Sequence, residues 1–225
     1  MHKANQTPTD LTALPSASKP NANNAVRPRD AASLLIYRVQ ERGVQVLMGK
    51  RRPGARFLPD VYVFPGGALD AADADALADA SPSPAISSVI AQAMAARNAV
   101  HARALLRAAL RESHEESGWR WPHAALPDLN TAGLRYLGRA ITPAQSPRRF
   151  HARFFAVAQH QMQQDPHADG ELLDLRWVDA QNPERLPIID FTEFMLDELQ
   201  RELTGARAGF PRLSYANELM RVTRR

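Results

Sequence analysis

Three glutamates near the middle of the chain have the clearest capacity for chemistry. They lie in the segment RESHEESGW, residues 111–119. On a helix, Glu112 precedes Glu115 and Glu116 by three and four residues, so all three carboxylates can reach one side. Like charges at this spacing repel one another, and they lie in the last turn, where the helix dipole disfavours anions. The segment is therefore either a solvated acidic face, a common fate of such residues, or a site for a hard cation that takes oxygen ligands.

A helix must hold these glutamates, and the residues before them predict one. Apolar residues recur at helical spacing among good helix formers from about Ala102 to Ser117, and Gly118 supplies a stop. Upstream, VYVFPGG predicts a strand from Val61 that ends at Pro65, which cannot donate to a ladder. The glycine pair that follows, at 66–67, would let a ligand approach the backbone closely.

Strands are predicted on both sides of this helix. They are Ala32 to Arg38, Val44 to Gly49, and, after the helix, LRYLGRAIT, FHARFFAVAQ and LLDLRWVDA. A second helix is predicted from Asp190, because Asp190 and Glu193 form a capping-box pattern and Gly205 follows the apolar run. This mixed order predicts an α+β fold, an α/β/α sandwich with a mixed sheet between helices.

Length and composition indicate one globular domain. The chain has 225 residues, of which 44% are hydrophobic and 23% charged, as in ordinary globular proteins. Residues 1–28 are rich in Pro, Asn, Ser, Thr and Ala without apolar periodicity, and we predict a disordered arm there. We expect residues 29–225 to form a single domain.

Several function classes are excluded or disfavoured. Without cysteine, the chain has no disulfide, no thiolate metal site and no cysteine nucleophile. It has neither a signal-peptide core nor an apolar stretch of ~20 residues, so we expect a cytoplasmic protein. The net charge of +4 would attract anions, but many basic residues lie in the tails, so we expect no specific nucleic-acid partner and no membrane partner. A nucleic-acid binder remains an alternative based on charge alone.

The acidic segment resembles the second half of the Nudix hydrolase signature, R-E-U-x-E-E-x-G-U with U apolar. The matching residues are Arg111, Glu112, Glu115, Glu116, Gly118 and Trp119, while Ser113 replaces an apolar residue. Gly67 matches the first glycine of the signature, in a Phe64-Pro65-Gly66-Gly67 loop. The first acidic position then falls at Asp73, with Asp70 nearby as a substitute.

The two halves of the motif are far apart in this chain. Residues 74–110 separate them where the signature has seven residues, which indicates an insertion of about 30 residues at about 74–100. A split motif after F-P-G-G resembles a Nudix subgroup related to the coenzyme A diphosphatases, including peroxisomal members. Arg51 and Arg56 stand at spacings similar to the coenzyme A motif of that subgroup, and RRFHARFF followed by Glu171 is similar to its downstream half.

The resemblance implies hydrolysis of a diphosphate linkage in a nucleoside diphosphate derivative, with coenzyme A or acyl-CoA as candidates. It implies Mg²⁺ or Mn²⁺ held by Glu112, Glu115 and Glu116, with Arg111 orienting the carboxylates and either Glu112 or Glu171 as the general base. The implied substrate contacts are Arg51, Arg56, Phe64, Gly66 and Gly67. Alternatives are ADP-ribose, another nucleotide sugar or a dinucleotide as substrate, and a catalytically silent nucleotide-binding module. A homodimer is a candidate assembly.

Overall fold

The structure is a computed structural model that describes residues 26–55, 57–75, 86–123, 125–126, 129, 133–165, 170–183, 186–216 and 219–224. Most of the arm predicted to be disordered therefore lies outside the described residues, as does Arg56. Residues 26–28 lead into the first strand, and Arg149 Nη1 donates to the Val26 carbonyl at 2.9 Å.

The described residues form strands and helices in mixed order. The strands are β1 (Arg29–Gln40), β2 (Gly43–Lys50), β3 (Tyr62–Val63), β4 (Gly66–Ala68), β5 (Trp119–Arg120), β6 (Arg135–Ile141), β7 (Phe150–Ala158), β8 (Gln163–Gln164), β9 (Leu173–Asp179), β10 (Pro211–Ala216) and β11 (Leu219–Arg224). The helices are α1 (Ala71–Asp75), α2 (Ser88–Ala93), α3 (Ala99–Ser117) and α4 (Asp190–Leu203).

One mixed sheet organises the fold. Its strand order is β11-β10-β6-β7-β1-β2-β3, with β4 added to β1 and β9 added to β2. The β1–β7 and β6–β10 pairs are parallel, and the other pairs of this sheet are antiparallel. A small second sheet joins β5 to β8.

The central strand β1 shows how the sheet separates two cores. Leu34 and Ile36 face a core that includes the apolar side of α3, whereas Leu35 and Tyr37 face a core that includes α4. Alternate residues of a strand point to opposite faces, so β1 is covered on both sides. This is the predicted sandwich, with α3 on one face of the sheet and α4 on the other.

Two local predictions differ from the structure, and one element was not predicted. The glycine pair does not end a strand, because Gly66–Ala68 pairs with β1 as the separate strand β4. The capping box of α4 is not formed: Ile189 is its N-cap residue, and the Asp190 carboxylate instead accepts from Phe191 N and Tyr215 Oη. The C-terminal hairpin of β10 and β11 was not predicted.

The second part of the predicted insertion packs on the domain. Ile90 of α2 and its C-cap residue Met94 lie in the α3-side core, whereas Val89 is 64% exposed. Arg153 Nε donates to the Met94 carbonyl at 3.0 Å and fixes this segment to β7. Among the described residues, no helix has the length and apolar character needed to cross a bilayer.

Candidate active site

Helix α3 carries the predicted acidic residues and has a defined start and end. The Asn98 side chain accepts from His101 N at 2.8 Å, which satisfies one of the unpaired amides of the first turn. Gly118 ends the helix with φ 74°, a left-handed conformation that glycine adopts without penalty. The buried residues on its apolar side hold the helix against β1, so the positions of its acidic residues are set by core packing.

Glu116 is the most deeply placed of the three glutamates. Its Oε2 accepts from Gly66 N at 2.7 Å, and its Oε1 lies 3.9 Å from Arg51 Nη1. Burial raises the pKa of its carboxyl to about 7, against the lowering effects of the Gly66 amide and of Arg51. The Gly66 amide and Arg51 therefore do not fully compensate a negative charge on Glu116 for its burial.

Glu112 lies against the backbone of β4. A Cβ atom built on Gly67 would overlap the Glu112 carboxylate, so only glycine allows this approach. Burial raises the pKa of Glu112, and the adjacent Arg111, which donates to it at 2.9 Å, opposes the shift. Glycine at position 67 thus lets the Glu112 carboxylate lie against β4, while the Gly66 amide binds Glu116.

Arg111 connects the acidic residues to one another. Its Nε and Nη2 each lie 3.0 Å from an oxygen of Asp73, and its Nη1 donates to Glu112 and to Glu115. The hydrogen bonds to Asp73 raise the pKa of the guanidinium, so Arg111 stays charged. Asp73, 1% exposed, also accepts from Asp70 N at 2.9 Å, and its carboxylate is therefore occupied as the partner of Arg111.

The predicted metal ligands are brought together only in part. Glu112 and Glu116 border one cleft, whereas the Glu115 side chain is 50% exposed and turned to Arg111. Across the described part of the chain, no three Asp, Glu or His side chains stand in an arrangement that could hold a metal ion as they are placed. The donor chemistry still fits a hard cation, since two partly buried carboxylates with raised pKa values lie side by side.

A second group of charged residues adjoins Glu116. Arg51 and Arg52 follow β2 and, with Glu171, line a second pocket that shares Arg51 and Glu116 with the main cleft. Arg52 Nε donates to the Glu171 carbonyl at 3.1 Å. The amides of Glu171 and Leu172 donate to carbonyls of the last turn of α3, Leu172 N to Glu116 O at 3.1 Å. Glu171, predicted from sequence, is therefore beside the glutamates of α3.

The main cleft has a volume of about 350 Å³ and opens on the α4 side of the sheet. The predicted residues Arg51, Phe64, Gly66 and Gly67 line one end of it with Glu112 and Glu116. Its other lining side chains were not predicted as site residues. Six of them are phenylalanine or threonine residues, namely Phe57, Thr142, Phe150, Phe154, Phe191 and Thr192. They come from loops, strands and a helix that only the fold brings together.

Known structures provide an independent comparison. The NUDIX hydrolase from Alicyclobacillus acidocaldarius matches with 26% sequence identity and a TM-score of 0.57, over 77% of this chain and 91% of that one. This chain has the Nudix fold. The fold class predicted from sequence, with a mixed sheet between helices, is confirmed, and the Nudix fold agrees with the resemblance carried by RESHEESGW. The coenzyme A-type subgroup stays a prediction.

Two further known structures are more distant. The NUDIX domain of Shewanella oneidensis NrtR, solved with ADP ribose, matches at 10% identity and a TM-score of 0.49, over 83% of this chain and 95% of that one. The MutT protein from Bacillus halodurans matches at 12% identity and a TM-score of 0.48, over 86% and 97%. Likenesses at this level carry no argument about substrate. No protein-family model matches the chain, and no curated protein matches it.

Proposed function

We propose that this chain is a Nudix hydrolase that depends on a divalent cation and cleaves the diphosphate linkage of a nucleoside diphosphate derivative. One observation carries the proposal: Glu112 and Glu116 of α3 border the same end of a ligand-sized cleft, against the glycines of β4. This end of the cleft combines carboxylates that could bind a cation, the glycine backbone of β4 and a basic residue, Arg51. A bound diphosphate would need all three to offset its charge and hold its oxygens.

Each residue has a distinct role in this proposal. Glu112, Glu115 and Glu116 would hold Mg²⁺ or Mn²⁺, which would offset charge on the diphosphate and lower the pKa of a bound water. Arg111 is a positioning residue, since it binds Glu112 and Glu115 directly. Arg51 and Arg56 would contact phosphate oxygens, with Phe64, Gly66 and Gly67 forming the adjacent wall of the cleft.

The general base is proposed to be Glu171 or Glu112. Glu112 is bound by Arg111 and packed on Gly67, whereas Glu171 makes hydrogen bonds to Arg52 and Glu115 through its main chain. A carboxylate that makes no charge-assisted hydrogen bond is the better proton acceptor, so we favour Glu171. The side chain would take a proton from the attacking water while Arg51 and Arg52 hold the phosphate side of the pocket.

Product analysis on a substrate panel tests the proposal. The panel contains coenzyme A, an acyl-CoA, ADP-ribose and NADH, each with Mg²⁺ or Mn²⁺ and with EDTA. We expect cleavage of at least one member by the wild type, loss of cleavage in EDTA, and a loss of 10²-fold or more in Glu116→Gln. Glu193→Gln, which removes an exposed glutamate of α4, is the matched control.

Binding measurements separate the enzyme from the silent-module alternative. Melting temperature is followed with and without Mn²⁺, and we expect an increase that is reduced in Glu116→Gln. Nucleotide binding without cleavage of any panel member would support a binding module instead. Cleavage of ADP-ribose but not of coenzyme A would replace the coenzyme A candidate while leaving the hydrolase proposal intact. A cytoplasmic location and a homodimer are further parts of the proposal.

A further inference from the structure

The residues that follow β8 and those that precede β9 are both fixed to the end of α3. Asp165 N donates to the Gly118 carbonyl at 2.8 Å, and the Asp165 carboxylate lies 3.1 Å from His114 Nε2. Leu172 N donates to the Glu116 carbonyl at 3.1 Å. The connection from β8 to β9 is therefore attached to the same helix terminus at two points.

The main chain of Glu171 is held between this helix and the loop that follows β2. Its amide donates to the Glu115 carbonyl at 3.4 Å, and its own carbonyl accepts from Arg52 Nε at 3.1 Å. Glu171 also lines the second pocket together with Glu116. The backbone of Glu171 is thus bound on two sides at a place where the residue borders the pocket.

Gly170, which precedes Glu171, has no room for a side chain. A Cβ atom built on it would lie 2.8 Å from the Glu116 carbonyl oxygen and 3.4 Å from the carbonyl carbon. The first distance is shorter than real Cβ contacts, and both atoms belong to the backbone of α3. The φ angle of Gly170 is outside the left-handed region, so close packing alone requires glycine here.

A methyl group at position 170 would move Glu171 and leave the helix in place. Helix α3 is held against the sheet by buried apolar residues such as Leu106 and Leu110. Gly170 is only partly buried and Glu171 is exposed, and hydrogen bonds hold this segment on the helix. Such a segment yields more readily than a packed core, so the overlap displaces the Glu171 side of the contact.

We propose that Gly170 and Asp165 are positioning residues that hold Glu171 where it can take a proton from the attacking water. The inference rests on the proposed function, in which Glu171 is the favoured general base. A general base must lie within hydrogen-bond reach of the proton that it removes, and a displacement of about 1 Å can cost about 10²-fold in rate. Both residues thus act on catalysis through the position of Glu171.

A double-mutant cycle tests whether Gly170 acts through Glu171. On a substrate that the wild type cleaves, Gly170→Ala should lower kcat about 10-fold to 10²-fold, with KM changed less than about twofold. In a Glu171→Gln background, where the base is already absent, the same change should have no further effect on kcat. Equal losses in both backgrounds would show that Gly170 has only a structural role and would overturn the inference.

Asp165→Asn tests the other attachment. The change replaces the carboxylate that binds His114 by a neutral amide, and kcat should fall about twofold to fivefold, again only when Glu171 is present. Asp197→Asn, at an exposed aspartate of α4, is the matched control and should retain the kcat of its parent in both backgrounds. A loss of the same size in the Glu171→Gln background would exclude a role of Asp165 through Glu171.

Binding of Mn²⁺ distinguishes displacement of Glu171 from displacement of Glu116, whose main chain Gly170 contacts. If the helix stays in place, Mn²⁺ should raise the melting temperature of Gly170→Ala as much as that of the wild type. A smaller rise in the variant would show that the methyl group moves Glu116, and the inference would be wrong. Circular dichroism of each variant establishes that it is folded.

The inference and the proposed function can fail separately. If cleavage depends on Glu116 and Glu171 but Gly170→Ala and Asp165→Asn leave kcat unchanged, the hydrolase proposal stands and the inference fails. If Glu171→Gln keeps the wild-type kcat, Glu171 is not the base, and the inference fails with that assignment while the hydrolase proposal stands. If the wild type cleaves no panel member, the proposed function fails, and a positioning role in catalysis fails with it.

Discussion

The guanidinium of Arg111 binds the carboxylate of Asp73 at two points, Nε to Oδ1 and Nη2 to Oδ2, each at 3.0 Å. The two residues come from opposite sides of the long insertion. Their pairing holds the two halves of the split motif together in the fold. The chain between them can therefore be long while the glutamates of α3 keep their positions relative to Asp73. This explains in physical terms how a 37-residue separation is compatible with one site.

Asp73→Asn should destabilise the protein and reduce activity. The change removes one charge of a pair whose acid is almost completely buried, and we expect a loss of about 2 kcal/mol in the free energy of unfolding. Urea denaturation measures it. Asp70→Asn, three residues away and exposed, is the matched control, and equal stability of the two variants would show that the pair is not structurally important.

Gly67→Ala should reduce kcat with little change in stability. The added methyl would overlap the Glu112 carboxylate and displace it, and a displacement of about 1 Å in a positioned group can cost about 10²-fold in rate. Steady-state kinetics on the substrate identified from the panel measures this. Gly54→Ala, where a Cβ would meet nothing within 4 Å, should retain full activity.

Glu171→Gln should lower kcat by about 10²-fold to 10⁴-fold without a large change in KM, as expected for loss of a general base. The acid limb of the pH–rate profile should also disappear. If instead Glu171→Gln keeps that limb and raises KM, the residue contacts substrate, and the general base is Glu112.

We expect the free energy of unfolding to depend on pH because of His151. Burial lowers the pKa of its imidazole to about 3, assisted by the nearby charges of Arg153 and Arg139, and Arg139 Nη1 donates to its Nε2 at 3.0 Å. The unfolded chain takes up this proton near pH 6.5. As pH falls below about 6.5, the unfolded state binds more protons than the folded state, so folding stability is lost.

His151→Gln, which retains a hydrogen-bond acceptor, should make this loss shallower by up to about 1.4 kcal/mol per pH unit between pH 6 and 4. Urea unfolding at successive pH values measures the slope. His160→Gln at an exposed histidine should follow the wild-type slope. A His151 variant with the wild-type slope would show that His151 is protonated in the folded protein.

Sequence reasoning worked where the signal is local. The helix that ends at Gly118, the strand pairs before and after it, and the acidic residues on α3 follow from periodicity, glycine positions and residue spacing. Gly66 and Gly67 were predicted to let a ligand approach the backbone, and that stays a prediction. Within the fold, the group that lies against Gly67 is the Glu112 carboxylate.

The remaining features depend on partners that are distant in sequence. The Asp190 carboxylate accepts from the Tyr215 hydroxyl at 2.5 Å instead of capping its helix. The residues next to Asp190 in the sequence give no sign of this partner. Ala31, Ala68, Ala140 and Ala152 line the cleft together only because of the register of four strands, which no single segment contains. Asp73 was assigned to the first acidic position of the motif from spacing alone, and only the fold shows that it is buried as the partner of Arg111.

The hydrogen bonds that Glu171 and Leu172 donate to the end of α3 join the last helical turn to the residues that lead into β9. Two separate stretches of the chain therefore hold the glutamate-bearing end of the helix, its apolar contacts with β1 and this pair of amides. Because the Leu172 amide donates to the Glu116 carbonyl at 3.1 Å, its exchange with solvent should be slow, and fast exchange at Leu172 would show that the junction opens.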